Sequence, residues 1–243
     1  MTELIFLLIF LALMIGIWLL NLRRQERNLR RIEAFRGLRR AIDMAVEDGT
    51  RLHLTLGSTN ILSDRTAAAF VGLSMLKRIS RIAVHSDNPP ITTSGDGALM
   101  LLSQDTIRST FRHMGSRNYD PSLGRITGVT PFSYAAGTLA VLNEEGISTN
   151  IMAGSFNNEI ALLTSVRDRL PVHTLAGSDN LASQAVLYAS ADEVLIGEEL
   201  YAGASYVGAG KMHDASLHAE DVIRWLIIGI MVLGSIAKFA GVL

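Results

Sequence analysis

Three times in this chain an apolar run ends in Gly-Ser-x-Asn: Gly57-Ser58-Thr59-Asn60, Gly154-Ser155-Phe156-Asn157 and Gly177-Ser178-Asp179-Asn180. A fourth run ends in the related Ser86-Asp87-Asn88. Glycine lets a strand turn sharply, and Ser or Asn can bond the free amides that open a helix. A repeated strand, tight turn and helix builds a parallel sheet with crossover helices, since parallel neighbours cannot be joined by a hairpin. The repeat therefore predicts an α/β fold, Rossmann-like, with a mostly parallel sheet flanked by helices.

The rest of the middle segment agrees. Strands are predicted at Arg51–Leu56, Arg81–His85, Arg125–Val129, Ser148–Ala153, Pro171–Ala176 and Glu193–Ile196. Helices are predicted over 65–80, 98–113, 132–145, 158–169 and 181–189, with Gly146 as a helix stop. In a parallel sheet the strand-end motifs share the carboxyl edge, where ligands bind in open α/β sheets. Two readings of Gly57, Ser58, Asn60, Ser86, Asp87, Gly154, Ser155, Asn157, Gly177, Ser178 and Asn180 stay open. They are ordinary helix caps, or they line a polar crevice that holds a small ligand, an anion or a nucleotide. Neither a phosphate-binding lysine loop nor Gly-x-Gly-x-x-Gly follows the first strand.

The ends of the chain are apolar. Leu4–Leu20 is an unbroken run of 17 residues, and Trp225–Leu243 holds a single charge, Lys238. Both runs predict transmembrane helices, over 1–22 and 222–243. Between them lie a basic amphipathic stalk over 23–47 and an α/β domain over 48–221. Residues 23–40 carry eight Arg and two Glu. That excess predicts an integral protein of the cell inner membrane with its α/β domain in the cytoplasm. Arg23, Arg24, Arg27, Arg30 and Arg31 are candidates for contact with the lipid bilayer. The apolar stripe of the same segment offers a contact with a second subunit instead, and a solvated stalk is the third use.

The formal net charge of −1 hides a strong asymmetry. Residues 126–221 contain three basic and 12 acidic side chains, so nucleic acid is excluded as a partner of this part. The opposite charges of the Arg-rich helix and the acidic half can steer copies together, which makes a membrane-anchored homo-oligomeric scaffold the first functional expectation. A ligand-binding membrane sensor is the second.

Catalytic signals are sparse. The chain has no Cys. His53 and His173 fall inside predicted strands, and His213 and His218 are five residues apart, which is not the spacing of a helical zinc pair. No metal and no cofactor are read from these patterns. The stretches Ile91–Gly97 and Tyr201–Gly210 are rich in small residues, which suits close packing or close approach by a ligand.

Two resemblances add to this reading. Ala182-Ser183-Gln184-Ala185, Ala191-Asp192-Glu193-Val194 and Gly203-Ala204-Ser205 resemble the membrane-bound signal-peptide peptidases of the Clp protease/crotonase superfamily. That resemblance implies Ser183 as a nucleophile with a lysine base, and a serine peptidase as the third functional expectation. Gln184 stands where a small residue is usual, and Lys77, Lys211 and Lys238 are the only lysines. The longer stretch from residue 38 to 200 is similar to an uncharacterised bacterial membrane protein family, a domain of unknown function. Its motif is matched by Ala41–Gly49 followed by Leu52-His53-Leu54-Thr55-Leu56-Gly57. This resemblance implies an α/β fold and membrane attachment, and brings no activity.

Overall fold

A computed structural model describes residues 2–21, 29–63, 65–116 and 119–239. Arg23, Arg24 and Arg27 lie outside the described residues. The elements run in the order α1 (Thr2–Asn21), α2 (Glu33–Glu47), β1 (Arg51–Gly57), α3 (Thr66–Ile82), β2 (Ile91–Ser94), α4 (Gly97–His113), β3 (Gly124–Ile126), α5 (Pro131–Glu144), β4 (Ile147–Ser155), α6 (Ile160–Thr164), β5 (His173–Ser178), α7 (Leu181–Ser190), β6 (Glu193–Leu195), α8 (Glu198–Tyr206) and α9 (Lys211–Phe239). Two compact units result, one of residues 30–209 and one of residues 1–29 with 210–243.

In the larger unit six strands form one parallel sheet in the order β3-β2-β1-β4-β5-β6. The order reverses between β1 and β4, so the chain crosses from one face to the other through α5. Leu52, Leu54 and Leu56 of β1 are fully buried, and Leu56 meets α3. His53 and Thr55 point the other way, to the side where Tyr134 and Thr138 of α5 lie. Period-two alternation thus gives β1 one leucine face and one polar face, both buried.

Helix α2 belongs to this unit. Ala34, Phe35, Leu38, Ile42 and Ala45 are buried in its main core. Phe35 stacks on Tyr206 of α8 with ring centroids 4.7 Å apart. The stripe that offered a subunit contact is taken by the chain's own sheet. Arg30 is paired with Glu199 at 2.6 Å, and its carbonyl accepts from the Tyr206 hydroxyl, whereas Arg31 is exposed.

The segment read as a strand at Arg81–His85 is not one. Helix α3 continues to Ile82 and closes in a single 3-10 turn over 83–85, because Ile79, Ala83 and Val84 keep the buried helical period. The second strand is instead the small-residue stretch Ile91–Ser94, released after Pro89-Pro90.

In the smaller unit α1 and α9 pack against each other. Phe10, Leu13, Met14 and Trp18 are half-buried, while Leu7, Leu11, Ile15 and Leu19 are exposed. Among the described residues no helix is long and apolar enough to cross a membrane. The expectation of one transmembrane helix at each terminus is therefore corrected. The 17 apolar residues of α1 cover about 25 Å, less than a hydrocarbon core of about 30 Å. The first part of α9 is polar, with Asp214, Glu220, Asp221 and Arg224 on the same helix.

Candidate functional site

The carboxyl edge of the sheet at the β1/β4 reversal is built on two glycines. Gly57 has φ of 91°, and a Cβ there would lie 2.2 Å from the Ser155 carbonyl oxygen. A Cβ on Gly154 would lie 2.1 Å from the Leu56 carbonyl oxygen. The two strand ends approach too closely for any side chain, which explains two of the three motif glycines. Behind them Gly72 lets α3 sit on the Ala153 carbonyl, since a Cβ would come within 2.4 Å of it.

The polar residues of the motifs divide. Asn180 caps α7, its side-chain oxygen accepting from the Ala182 amide at 3.0 Å, and its Nδ2 donates to Asn157 Oδ1 at 3.1 Å. Ser178 Oγ accepts from the amides of Asn180 and Phe156. Asn60 closes a turn by accepting from the Leu62 amide at 2.8 Å. Only one of the three Asn residues is therefore a helix cap. Ser86 and Asp87 are not at this edge. They precede β2 at the amino edge, where Asn88 binds the Gly49 carbonyl and Arg51. Their place at the carboxyl edge is filled by Ser94-Gly95-Asp96, with Asp96 capping α4 through the amides of Ala98 and Leu99 at 3.0 Å.

Glu159 is the residue the motifs overlooked. It follows Asn157 by two positions and is fully buried. One carboxylate oxygen accepts from the Ser58 hydroxyl at 2.5 Å and from the Asn157 amide at 3.1 Å. The other oxygen is buried without a partner, as is the hydroxyl of Ser155. A charged residue directly before the apolar run Ile160-Ala161-Leu162-Leu163 was the available signal, and it was masked because the helix dipole alone favours an acid there.

Beneath this edge runs a buried polar seam. His53 Nδ1 is 2.8 Å from Asn150 Oδ1, and Nε2 is 3.0 Å from the Thr93 hydroxyl. Thr93 continues to Thr138 at 3.5 Å, and Thr138 to Thr127 at 2.9 Å. The Asn150 oxygen can only accept, so Nδ1 carries the proton and Nε2 accepts from Thr93. Burial pushes the His53 imidazole down to about 4, aided by the Arg125 charge and opposed by the bond to Asn150. Tyr134, fully buried, bonds Thr55 and faces the Gly57 backbone. Burial raises its phenol well above the ordinary value, and the Glu159 charge adds to that.

Ser183 is buried at the first turn of α7, where its hydroxyl lies 2.8 Å from the Phe156 carbonyl and 3.3 Å from that of Asn157. Its proton is held by backbone, and no basic side chain is among these partners. Among the described residues no group of three His, Asp or Glu side chains converges to hold a metal ion.

The sheet order defines a doubly wound α/β protein with a cluster of polar residues at the topological switch point. The chain belongs to a family described as a domain of unknown function, DUF6754, which matches residues 1–243. No curated protein and no solved structure matches it.

Proposed function

We propose that the α/β unit binds a small polar ligand at the β1/β4 crevice, with Glu159 as its anchor. The observation that supports this is the second Glu159 oxygen, buried and without a hydrogen-bond donor. A desolvated carboxylate with incomplete bonding is costly, and a donor brought by a ligand removes that cost. Ser155, whose hydroxyl is also unsatisfied, is the second contact. Ser58 is partly exposed and hydrogen-bonded to Glu159, which makes its loop the entry in this reading.

An acid at the centre selects for hydroxyl or amine donors and works against a bare anion. Nucleosides, sugars and primary amines fit this chemistry better than inorganic phosphate. Thermal denaturation of the full chain with each class at millimolar concentration tests the reading. A ligand at 100 times its Kd stabilises by about 2.7 kcal/mol, and Glu159→Gln should abolish the response while leaving the unliganded melting point nearly unchanged. If no class stabilises the chain, or if Glu159→Gln responds equally, the reading fails.

A further inference from the structure

We infer that the ligand anchored by Glu159 is a protonated primary amine, which rests on the reading of Glu159 as the anchor. Glu159 is 0% exposed, and both donors to its carboxylate are neutral, the Ser58 hydroxyl and the Asn157 amide. Among the described residues no Lys, Arg or His pairs with it. A buried carboxylate held by neutral donors alone keeps its charge uncompensated, and that charge is costly away from water. A hydroxyl of a sugar or nucleoside adds a donor and no charge. An ammonium group adds both, in a charge-assisted bond about twice as strong as a neutral one. The neighbouring turns favour a cation too. Asp96 and Asp179 lie at the same carboxyl edge, and Asp179 Oδ1 is likewise buried without a partner. Arg65, the one basic side chain in the described turns of this edge, is exposed. A cleft lined by one sign of charge concentrates the opposite sign.

The open acceptors separate an amine from other cations. Glu159 Oε1 accepts from Ser58 at 2.5 Å and from the Asn157 amide at 3.1 Å, so both of its lone pairs are engaged. Oε2 has no donor. A guanidinium is a rigid fork that pairs both oxygens of a carboxylate at once, and here one of the two is taken. An ammonium is a compact point charge, and one free oxygen is enough for it. Ser58 gives its only proton to Glu159, so toward a ligand its oxygen offers lone pairs alone. Oε2 and the Ser58 oxygen are thus acceptors only, and a primary ammonium is a donor only. A quaternary ammonium brings charge without a donor and leaves Oε2 unsatisfied.

Titration calorimetry on the full chain at pH 7 and matched ionic strength tests this with n-propylamine, methylguanidine, choline, ribose and adenosine. Propylamine is protonated at that pH, as a lysine amine is. It is expected to bind at least ~10-fold more tightly than each of the other four. Glu159→Gln should weaken propylamine at least ~100-fold, because the ammonium then loses its charged partner. Ser58→Ala keeps the carboxylate and frees a lone pair of Oε1, so the affinity for methylguanidine relative to propylamine should rise about 10-fold. Ribose or adenosine binding as tightly as propylamine, and lost in Glu159→Gln, overturns the amine and leaves Glu159 as the anchor. Choline or methylguanidine equal to propylamine overturns the single open acceptor, as does an unchanged ratio in Ser58→Ala. Binding of none of the five, or binding that survives Glu159→Gln, removes the anchor itself and the amine with it.

Discussion

At the scale of single residues, the strand-end glycines are not equivalent to other glycines of the chain. Gly57 combines a positive φ with a backbone oxygen in the space of its missing Cβ, whereas Gly49 has a positive φ of 64° and open space around it. Gly57→Ala should cost about 3 kcal/mol or more, and Gly49→Ala about 1 kcal/mol, measured by urea unfolding. His53 sets a second residue-scale expectation. Its imidazole is held down to about 4 by burial, against 6.5 when unfolded. The folded state therefore binds fewer protons in that window. Stability is fully present above pH 6.5 and is lost as pH falls toward 4, by up to about 3 kcal/mol. Chemical unfolding between pH 7 and 4 should show this slope, and His53→Gln should flatten it. An unchanged slope would assign the acid sensitivity to other groups. His53 was recognisable in the sequence as a packed strand residue. Its partners Asn150 and Thr93 were not, since they sit on other strands at 97 and 40 residues' separation.

At the scale of elements, α2 is the informative case. Its basic and apolar residues suit a membrane surface, a subunit contact or a stalk equally well when only their spacing is known. Burial decides among neighbours, and Leu38 is 1% exposed within the core of the α/β unit. Leu38→Ala should cost about 3 kcal/mol, the usual loss for a buried leucine, while the exposed Arg39→Ala should be nearly neutral. The α4 cap makes a parallel test. Asp96→Ala should cost about 1 kcal/mol and Asp96→Asn much less, because either side-chain oxygen can accept from the Ala98 and Leu99 amides. The second strand shows where local pattern misleads. Arg81–His85 has a strand-like composition, but it is the tail of α3, and the true strand was hidden in Ile91-Thr92-Thr93-Ser94 because these four residues have no apolar alternation and run into the small-residue stretch Gly95-Asp96-Gly97. Four threonine and serine side chains of β1 and β2 are nonetheless buried; Thr55, Thr93 and Ser94 are satisfied across the sheet or by the nearby backbone, and the Thr92 hydroxyl has no partner.

At the scale of the whole molecule, the chain forms two compact units, and both hydrophobic clusters lie in the larger one. Hydrogen exchange should protect β1 and β4 most strongly, since both are central strands buried on both faces. Faster exchange there than in the short edge strands β3 and β6 would contradict this order. What the sequence determined by itself was local. Strand, tight turn and helix alternate with periods set by side-chain direction, so the α/β class and the Gly-Ser-x-Asn turns were legible, as was the uneven charge. The tertiary structure decided the strand order, and with it which turns meet. It brought Gly57-Ser58 beside Gly154-Ser155 and Glu159, sent Ser86 and Asp87 to the opposite edge, and drew α2 into the core. It also left the apolar ends as a packed helical pair with no helix of the described residues long and apolar enough to span a bilayer. The reason is physical. Periodicity reports which face of an element is apolar, but the partner of that face is chosen by long-range burial, and no local spacing encodes that choice.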